Sequence, residues 1–321
     1  QMLSLHEGMM PPEVAAVLGA LQKSAPRVSF QTMYRQIQSE LPDADRLFRS
    51  LEREPFAAAS IGQVYRGVLH DGRSVAVKVQ YPEIATLVRS DLANLRMLFG
   101  AIDWLEPDFD LAPLLDELAE TVPAELDFVN EAHNSERIAK ELAHRDDVVI
   151  PSIVWEHTTR RVLVMDRVDG IKITDVARLR EAGVETEAVA RTLVEVFCEQ
   201  ILVNGHFHAD PHPGNLMVVP GEDGLPARLA LLDFGLTKQL PDDFREGVVE
   251  FGTALLQADP ERMGQALVSL GFETRSGDDA ALAEIAAVFL EAAQAVREEQ
   301  RVQRETIERL RSEIPDHVRA N

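Results

Sequence analysis

Residues 61–80, "IGQVYRGVLHDGRSVAVKVQ", decide the fold. Two alternating runs flank the turn tripeptide "HDG" at 70–72, the pattern of an antiparallel hairpin. The second run carries a cation where a β-strand seldom keeps one. Lys78 alternates with small apolar residues in "SVAVKVQ", and Ala76 is small enough for a flat ring to lie against. A lone strand lysine is ordinarily a solvent-facing one; in this setting it becomes a candidate for contact with phosphate.

Working outward, residues 46–80 read as two or three antiparallel strands, preceded by helices at 11–24 and 31–40. Helical periodicity returns at 83–105 and 111–142, where Pro123 starts or kinks a helix holding "AELDFVNEAHNSERIAKEL". Two further strands are expected, 148–157 and 160–168, with a turn around Thr158. Beyond "DG" at 169–170 the pattern is helical, apart from the loop "HFHADPHPGN" (206–215) and two short strands, "NLMVV" and "RLALLDF". The expectation is an α+β chain in three parts: a helical extension (1–45), a β-rich lobe with a helical insert (46–168) and a helical lobe (169–321). Residues 280–314 read as amphipathic helix whose charge is a solvated face.

Composition narrows the function. A length of 321 residues suffices for two packed lobes. The 54 acidic against 32 basic side chains give a formal charge of -22, which opposes a phosphate-backbone interface, so no nucleic-acid partner is expected. Cys198 is the only cysteine, so no intrachain disulfide can form and a reducing, cytoplasmic setting fits; in "LVEVFCEQILV" it reads as a buried core thiol. Apolar runs such as "ALLQA" and "LALL" fall far short of the roughly 18 residues of a membrane helix, so a soluble chain is expected. The start at a glutamine reads as a trimmed fragment, which leaves attachment to a membrane surface to the parent protein.

The chemistry gathers in two places. Asp233 in "LLDFG" follows an apolar strand and precedes a glycine that frees the backbone, a suitable seat for a divalent cation. Eighteen residues earlier stands Asn215, and five before that Asp210. One carboxylate and one amide oxygen suit Mg²⁺, while a second carboxylate can orient a nucleophile, the division of labour of phosphoryl transfer. A cation must then meet the phosphates from the other lobe: Lys78, with Glu131 as its acid. Glu125, Asp127 and Glu131 read equally as solvated helix acids. Met165, Asp166 and Val168 end the strand "VLVM" at the lobe junction, either as a plain strand end or as contacts for an adenine ring. His206, His208 and His212 as a zinc site is disfavoured by the stiffening Pro211 and Pro213 and by the absence of a nearby cysteine. No serine sits in a nucleophile-elbow context, which sets a hydrolase triad aside.

In this order the motifs resemble the UbiB/ADCK group of atypical kinase-like proteins, within the protein-kinase-like superfamily. "AAASIGQVYRG" (57–67) is similar to that group's alanine-rich phosphate loop and "VAVKVQYP" (75–82) to its lysine strand. "ELDFVNEA" (125–132) resembles its ExD element, and "HADPHPGN" with "LLDFG" its catalytic loop and metal site. The resemblance implies a bilobal kinase-like fold that binds ATP or ADP with Mg²⁺. It places Ala57, Ala58, Ala59 and Ser60 at the phosphates, with Val64, Ala76, Met165, Asp166 and Val168 about the base. Lys78 contacts the α- and β-phosphates, Glu131 anchors it, Asp210 is the catalytic aspartate, Asn215 and Asp233 hold the metal, and Glu125 and Asp127 form an extra acidic pair facing the site. It also implies a non-peptide or lipid-linked acceptor, such as a quinone precursor.

Three departures from ordinary protein kinases carry consequences. Alanines in place of glycines limit positive φ and close backbone approach, which alters the grip on nucleotide. "LTKQLPDDFREG" runs into a helix almost at once after Gly235, with no "APE", which weakens the case for a peptide substrate. "QMLSL" at 1–5 looks like the end of the group's KxGQ gating element, lacking its lysine and glycine. Two other readings stand beside this one: a small-molecule phosphotransferase of the aminoglycoside or choline kinase kind, and a nucleotide-gated scaffold with little catalysis.

Overall fold

The computed structural model describes residues 28–58, 61–105, 118, 119, 122–221 and 225–272, with 282, 286, 287 and 290; for 98–105 it describes the backbone alone. The expectations for residues 11–24, the insert at 106–117 and the segment 1–5 lie outside the described residues, as does most of 280–314. Helix α1 (Phe30–Glu40) opens on Ser29, whose hydroxyl accepts the Thr32 N–H at 3.3 Å. A single turn, α2 (Ala44–Leu47), leads into strand β1 (Phe48–Leu51).

Strands β2 (Ala57–Ala58), β3 (Gly62–Leu69) and β4 (Ser74–Gln80) follow, so this region holds four strands rather than two or three. The turn between β3 and β4 forms as the tripeptide demands. Gly72 takes a φ of 92°, and the Asp71 carboxylate accepts the Arg73 N–H at 2.9 Å. With β6 (Val162–Asp166) the strands make an antiparallel sheet in the order β1-β3-β4-β6, and β2 pairs with β3. Lys78 stands opposite Val64 on one side and Leu163 on the other.

Strand alternation sorts "SVAVKVQ" into two faces, both covered. Val75, Val77 and Val79 are fully buried against Met33 and Ile37 of α1, together with Tyr65, Val162 and Val164. Burying each valine stabilises the fold by roughly 1.5–3 kcal/mol. The opposite face presents Ala76, Lys78 and Gln80. Ala76 packs with Leu163, Met165, Phe128 and Ala132, the last two from helix α4 (Phe128–Glu141), and Gln80 donates to the Leu126 carbonyl at 2.6 Å. A strand buried on both faces can carry a charged side chain only where a partner waits for it. Gly62, opposite Gln80, allows the close approach of β3 and β4, since a Cβ there would lie 2.2 Å from the Val79 carbonyl oxygen.

Helix α3 (Ile84–Leu105) follows β4. The helix expected to run unbroken through 125–142 is interrupted. Residues 122–125 are helical, Leu126 and Asp127 are not, and α4 starts at Phe128 under an Asp127 cap that accepts the Val129 N–H at 3.0 Å. The capping preference of aspartate outweighs helical continuity here. The strand expected over 148–157 is shorter and divided. Strand β5 (Val148–Val149) joins a second sheet, Ile153 makes a single bridge to Met165, and 155–157 form a 3-10 turn. Pro151, without an N–H, marks where the segment changes sheets.

The second sheet has the order β5-β10-β9-β7, with β7 (Ile171–Lys172), β9 (Leu216–Val219) and β10 (Arg228–Leu231). Strands β9 and β10 are those expected; β7, like the short β8 (His206–His208) and β11 (Thr237–Gln239), forms where the sequence pattern shows no strand. Helices α5 (Val176–Glu181) and α6 (Thr186–Cys198) precede a π-helical stretch, Glu199–Asn204, that ends at Gly205 with φ 64°. Cys198 corrects the sequence reading: it is exposed, two positions beyond the buried Val196 and so on the other side of the helix.

The described residues fall into two compact units. One runs to Val194 and includes His208–Thr237; the other holds Glu195–Phe207 and continues from Lys238. In the second unit, helices α7 (Asp242–Gln257) and α8 (Pro260–Ser269) pack through Ala254, Met263 and Leu267. The sheet of β1–β4 and β6, the sheet of β5, β7, β9 and β10, and the described candidate site residues belong to the first unit.

Candidate active site

The site is built from the buried lysine outward. Lys78 is 5% exposed and Glu131 2%; the ammonium donates to both Glu131 oxygens, at 2.7 and 2.8 Å, and to Asp233 Oδ2 at 2.8 Å. The Phe128 ring lies 5.1 Å from Nζ and covers the cation from the side. Burial alone pulls the Lys78 pKa down, but the charges and hydrogen bonds of Glu131 and Asp233 outweigh it, and the group is held above its ordinary range.

One cation shared by two acids leaves the acids unequal. Burial, reinforced by the neighbouring charge of Asp233, raises Glu131 to about 7 against the pull of Lys78. Burial also opposes ionisation of Asp233, yet Lys78 and the Gly235 N–H hold that carboxyl below its ordinary range. Asp233 is the firm anion of the pair, and its side chain, 34% exposed, remains open to a ligand.

The "DFG" segment is tied down from several sides. Gly235 N–H donates to Asp233 Oδ1 at 3.0 Å, and the Asn134 amide, on α4, donates to the Phe234 carbonyl at 3.1 Å. Phe234 is buried, edge-on to His208 at 5.4 Å. His208 also accepts the Asp210 N–H on Nδ1 at 3.2 Å, so it supports both motifs, and burial keeps its pKa below the ordinary value. The loop is stitched to the same strand end: Leu232 N–H donates to the Asn215 carbonyl and Ala209 N–H to the Leu236 carbonyl, each at 3.0 Å. The Asn215 amide donates to the backbone oxygen of Asp210 at 3.1 Å and to its carboxylate at 3.2 Å.

These side chains face a cleft of about 360 Å³. Lys78, Glu131, Asp210, Asn215 and Asp233 line it, and so do Ala57, Ala58, Val64 and Ala76 on one side and Met165, Asp166 and Val168 at the strand end. Ala59 and Ser60 lie outside the described residues. Glu125 also lines the cleft, half-buried, its pKa raised by burial and then by the charges of Asp233 and Asp210. Asp127, expected beside it, is absent from the described lining: it caps α4 and sits 3.3 Å from the guanidinium of Arg160. The break in the helix at 126–127 is what sends the two acids different ways.

Several lining residues escaped the sequence reading, among them Phe56, Ile61, Pro151, Met217 and Leu232. For Met217 a signal existed: in "NLMVV" it is the residue that alternates outward between the buried Leu216 and Val218. Among the described residues no three histidine, cysteine, aspartate or glutamate side chains are grouped to hold a metal.

Chemically the arrangement offers three things. Asn215 spends its N–H hydrogens on Asp210, which leaves its amide oxygen free to accept; it and the Asp233 carboxylate line the same cleft and are hard oxygens of the kind a divalent cation takes. Asp210, held through its N–H by His208 and through its carboxylate by Asn215, presents a carboxylate at the cleft wall. Lys78 supplies fixed positive charge.

The family model described as "ABC1 atypical kinase-like domain" matches residues 20–267. The chain belongs to the ABC1 family. ABC1 relatives include "AarF domain-containing protein kinase 1" of Mus musculus, 36% identical over 84% of this chain and 52% of the relative. The chloroplastic "Protein ACTIVITY OF BC1 COMPLEX KINASE 8" of Arabidopsis thaliana is 36% identical over 96% of this chain and 41% of the relative. The chain therefore spans about half the length of the curated relatives it matches. Among solved structures it is similar to Rv3197 of Mycobacterium tuberculosis, solved with erythromycin, with a TM-score of 0.63 and 28% identity over 85% of this chain and 68% of that one. The mixed α+β architecture, with a β-sheet lobe and a helical region, is that of the kinase-like fold, as the motif resemblance implied. No helix among the described residues is long and apolar enough to cross a membrane.

Proposed function

We propose that the cleft binds an adenine nucleotide with Mg²⁺ and hydrolyses ATP or transfers its terminal phosphoryl group to a non-peptide or lipid-linked acceptor. The observation that carries this reading is the single lysine held by Glu131 and Asp233, with Asp210 and Asn215 in the same cleft wall. Ala76, Val64, Met165 and Met217 make an apolar pocket fit for a purine, and Lys78 meets the phosphates. Asp233 and Asn215 would hold the metal, which neutralises charge on the phosphates when bound. The acceptor oxygen forms a bond to the terminal phosphorus as the bond to the bridging oxygen breaks; ADP leaves, and the acceptor's proton passes to the Asp210 carboxylate.

The absence of "APE" favours an acceptor other than a peptide. Membership of ABC1 and the resemblance to UbiB/ADCK proteins support a lipid or quinone precursor, acted on at a membrane surface. The erythromycin held by the mycobacterial relative supports a second reading, in which the acceptor is a soluble hydroxylated molecule. The test is Asp233→Asn. We expect it to lower Mg²⁺-nucleotide affinity and phosphate release at least tenfold, because it removes the firm anion of the cleft. Unchanged affinity and turnover would refute the proposal. Robust turnover of a soluble alcohol over a lipid-linked one would favour the second reading.

A further inference from the structure

Three histidines crowd residues 206–212, and the structure separates them. His206 and His208 are buried, whereas His212 lines the cleft beside Asp210, Gly214 and Asn215. Its Nδ1 accepts the Gly214 N–H at 3.0 Å, so the hydrogen of the neutral ring sits on Nε2. Pro211 and Pro213 flank it and fix φ on both sides, and Pro213–Asn215 close a 3-10 turn. The donor is therefore held in place before any ligand arrives.

The side-chain N–H donors in the described wall of the cleft are Lys78, Asn215 and His212. Lys78 is committed to two carboxylates and Asn215 to Asp210. The other charged side chains of that wall, Glu125, Glu131, Asp166, Asp210 and Asp233, are acids. A polyphosphate entering the cleft meets repulsion from these acids and, among the described side chains, one uncommitted N–H hydrogen, that of His212.

We propose that His212 is a catalytic residue, whose Nε2–H bonds the terminal phosphate of the nucleotide and stabilises charge on its oxygens during transfer, without giving up its proton. This rests on the nucleotide reading of the cleft. A donor aimed at the terminal group distinguishes a triphosphate from a diphosphate, which the cation at Lys78 does not.

Two substitutions separate the ring's roles. His212→Asn keeps an oxygen to accept the Gly214 N–H and removes the outer donor; His212→Gln restores an N–H at the outer position. Calorimetry with Mg²⁺-ADP and with a Mg²⁺-bound non-hydrolysable ATP analogue reads binding, and phosphate release reads turnover. For His212→Asn we expect about tenfold weaker binding of the triphosphate analogue, ADP affinity within about twofold of wild type and at least a tenfold lower kcat, most of which His212→Gln recovers. An unchanged ratio of triphosphate to diphosphate affinity, or an equal loss of both, overturns the proposal. Asp233→Asn is the control. If it loses both nucleotides while His212→Asn loses neither, the cleft reading stands and the His212 role falls; a wild-type protein that binds neither nucleotide overturns both.

Discussion

Replacing Lys78 by methionine tests the electrostatic centre directly. The ammonium lies 2.7–2.8 Å from Glu131 and 2.8 Å from Asp233. At an effective dielectric of about 20, each contact contributes about 6 kcal/mol of attraction, offset by the several kcal/mol needed to bury the cation. Methionine fills most of the volume but leaves the buried Glu131 and the partly exposed Asp233 carboxylates without a cation. The expected cost near pH 8 is about 3–5 kcal/mol, or about 6–20 °C in Tm for a cooperative unit of roughly 200 residues. The pH dependence gives a sharper signature. Glu131 is already raised to about 7 in the native state, so between its unfolded value and 7 the folded protein holds a proton the unfolded chain has released, and stability falls as pH rises through that window. Without Lys78 the native value moves higher still, which extends the window upward at about 1.4 kcal/mol per pH unit. The Lys78→Met deficit should therefore be larger at pH 8 than at pH 5, where Glu131 is protonated in both proteins. Adding Glu131→Gln removes the stranded charge and should recover more than half of the loss at pH 8. Thermal melts of wild type, both single variants and the double variant at the two pH values supply the cycle. A deficit below about 1 kcal/mol at pH 8, or one independent of pH, or a double variant no more stable than Lys78→Met, refutes the reasoning.

Two further predictions concern the frame around the cleft. Gly62→Ala would put a Cβ 2.2 Å from the Val79 carbonyl oxygen, so we expect a loss of about 2–3 kcal/mol in a denaturant melt, with weaker nucleotide binding because Lys78 sits on the displaced strand. Asp127→Ala removes the cap of the helix that carries Glu131 and should cost about 1 kcal/mol, most of it from the lost Val129 contact, since the Arg160 pair is exposed. A loss of phosphate release above 100-fold at unchanged Tm would instead place Asp127 among the groups that act on the ligand.

The parts legible in the sequence were those governed by short-range rules. The "HDG" turn fixed the hairpin register, and alternation through "SVAVKVQ" placed the valines on one face and Ala76, Lys78 and Gln80 on the other. Alternation says nothing of what covers the second face. That Glu131 would reach Lys78 rested on family resemblance, because the two lie 53 residues apart and nothing local brings them together. Where two local rules compete, the structure follows the one that periodicity does not express. Helical periodicity through 125–142 favoured continuity, but Asp127 was a cap, and apolar character through 148–157 favoured one strand, but Pro151 divided it between two sheets. Cys198 sits in an apolar stretch, but helical phase, not local composition, sets its exposure.

The breaks at Leu126–Asp127 and at Pro151 both shape the cleft. A continuous helix through 125–142 would set Glu125 and Glu131 six residues apart on different sides, with no reason for both to face one cavity. The break at Leu126 and Asp127 releases Glu125 from that periodicity, and both acids line the same cleft. In the same way, one unbroken strand over 148–157 would commit its backbone to a single sheet. The change of sheet at Pro151 lets the segment bond to the β10 sheet at Val148–Val149 and bridge to Met165 at Ile153, with Pro151 itself in the cleft wall. The cleft thus lies where regular elements are interrupted. Those interruptions cost hydrogen bonds and helical continuity, and the Asp127 cap, the Gln80 bond to the Leu126 carbonyl and the bonds of Ser152 and Val154 to β6 offset that cost. The acids gathered there repel one another, and the charge of Lys78, shared between Glu131 and Asp233, is what holds them together.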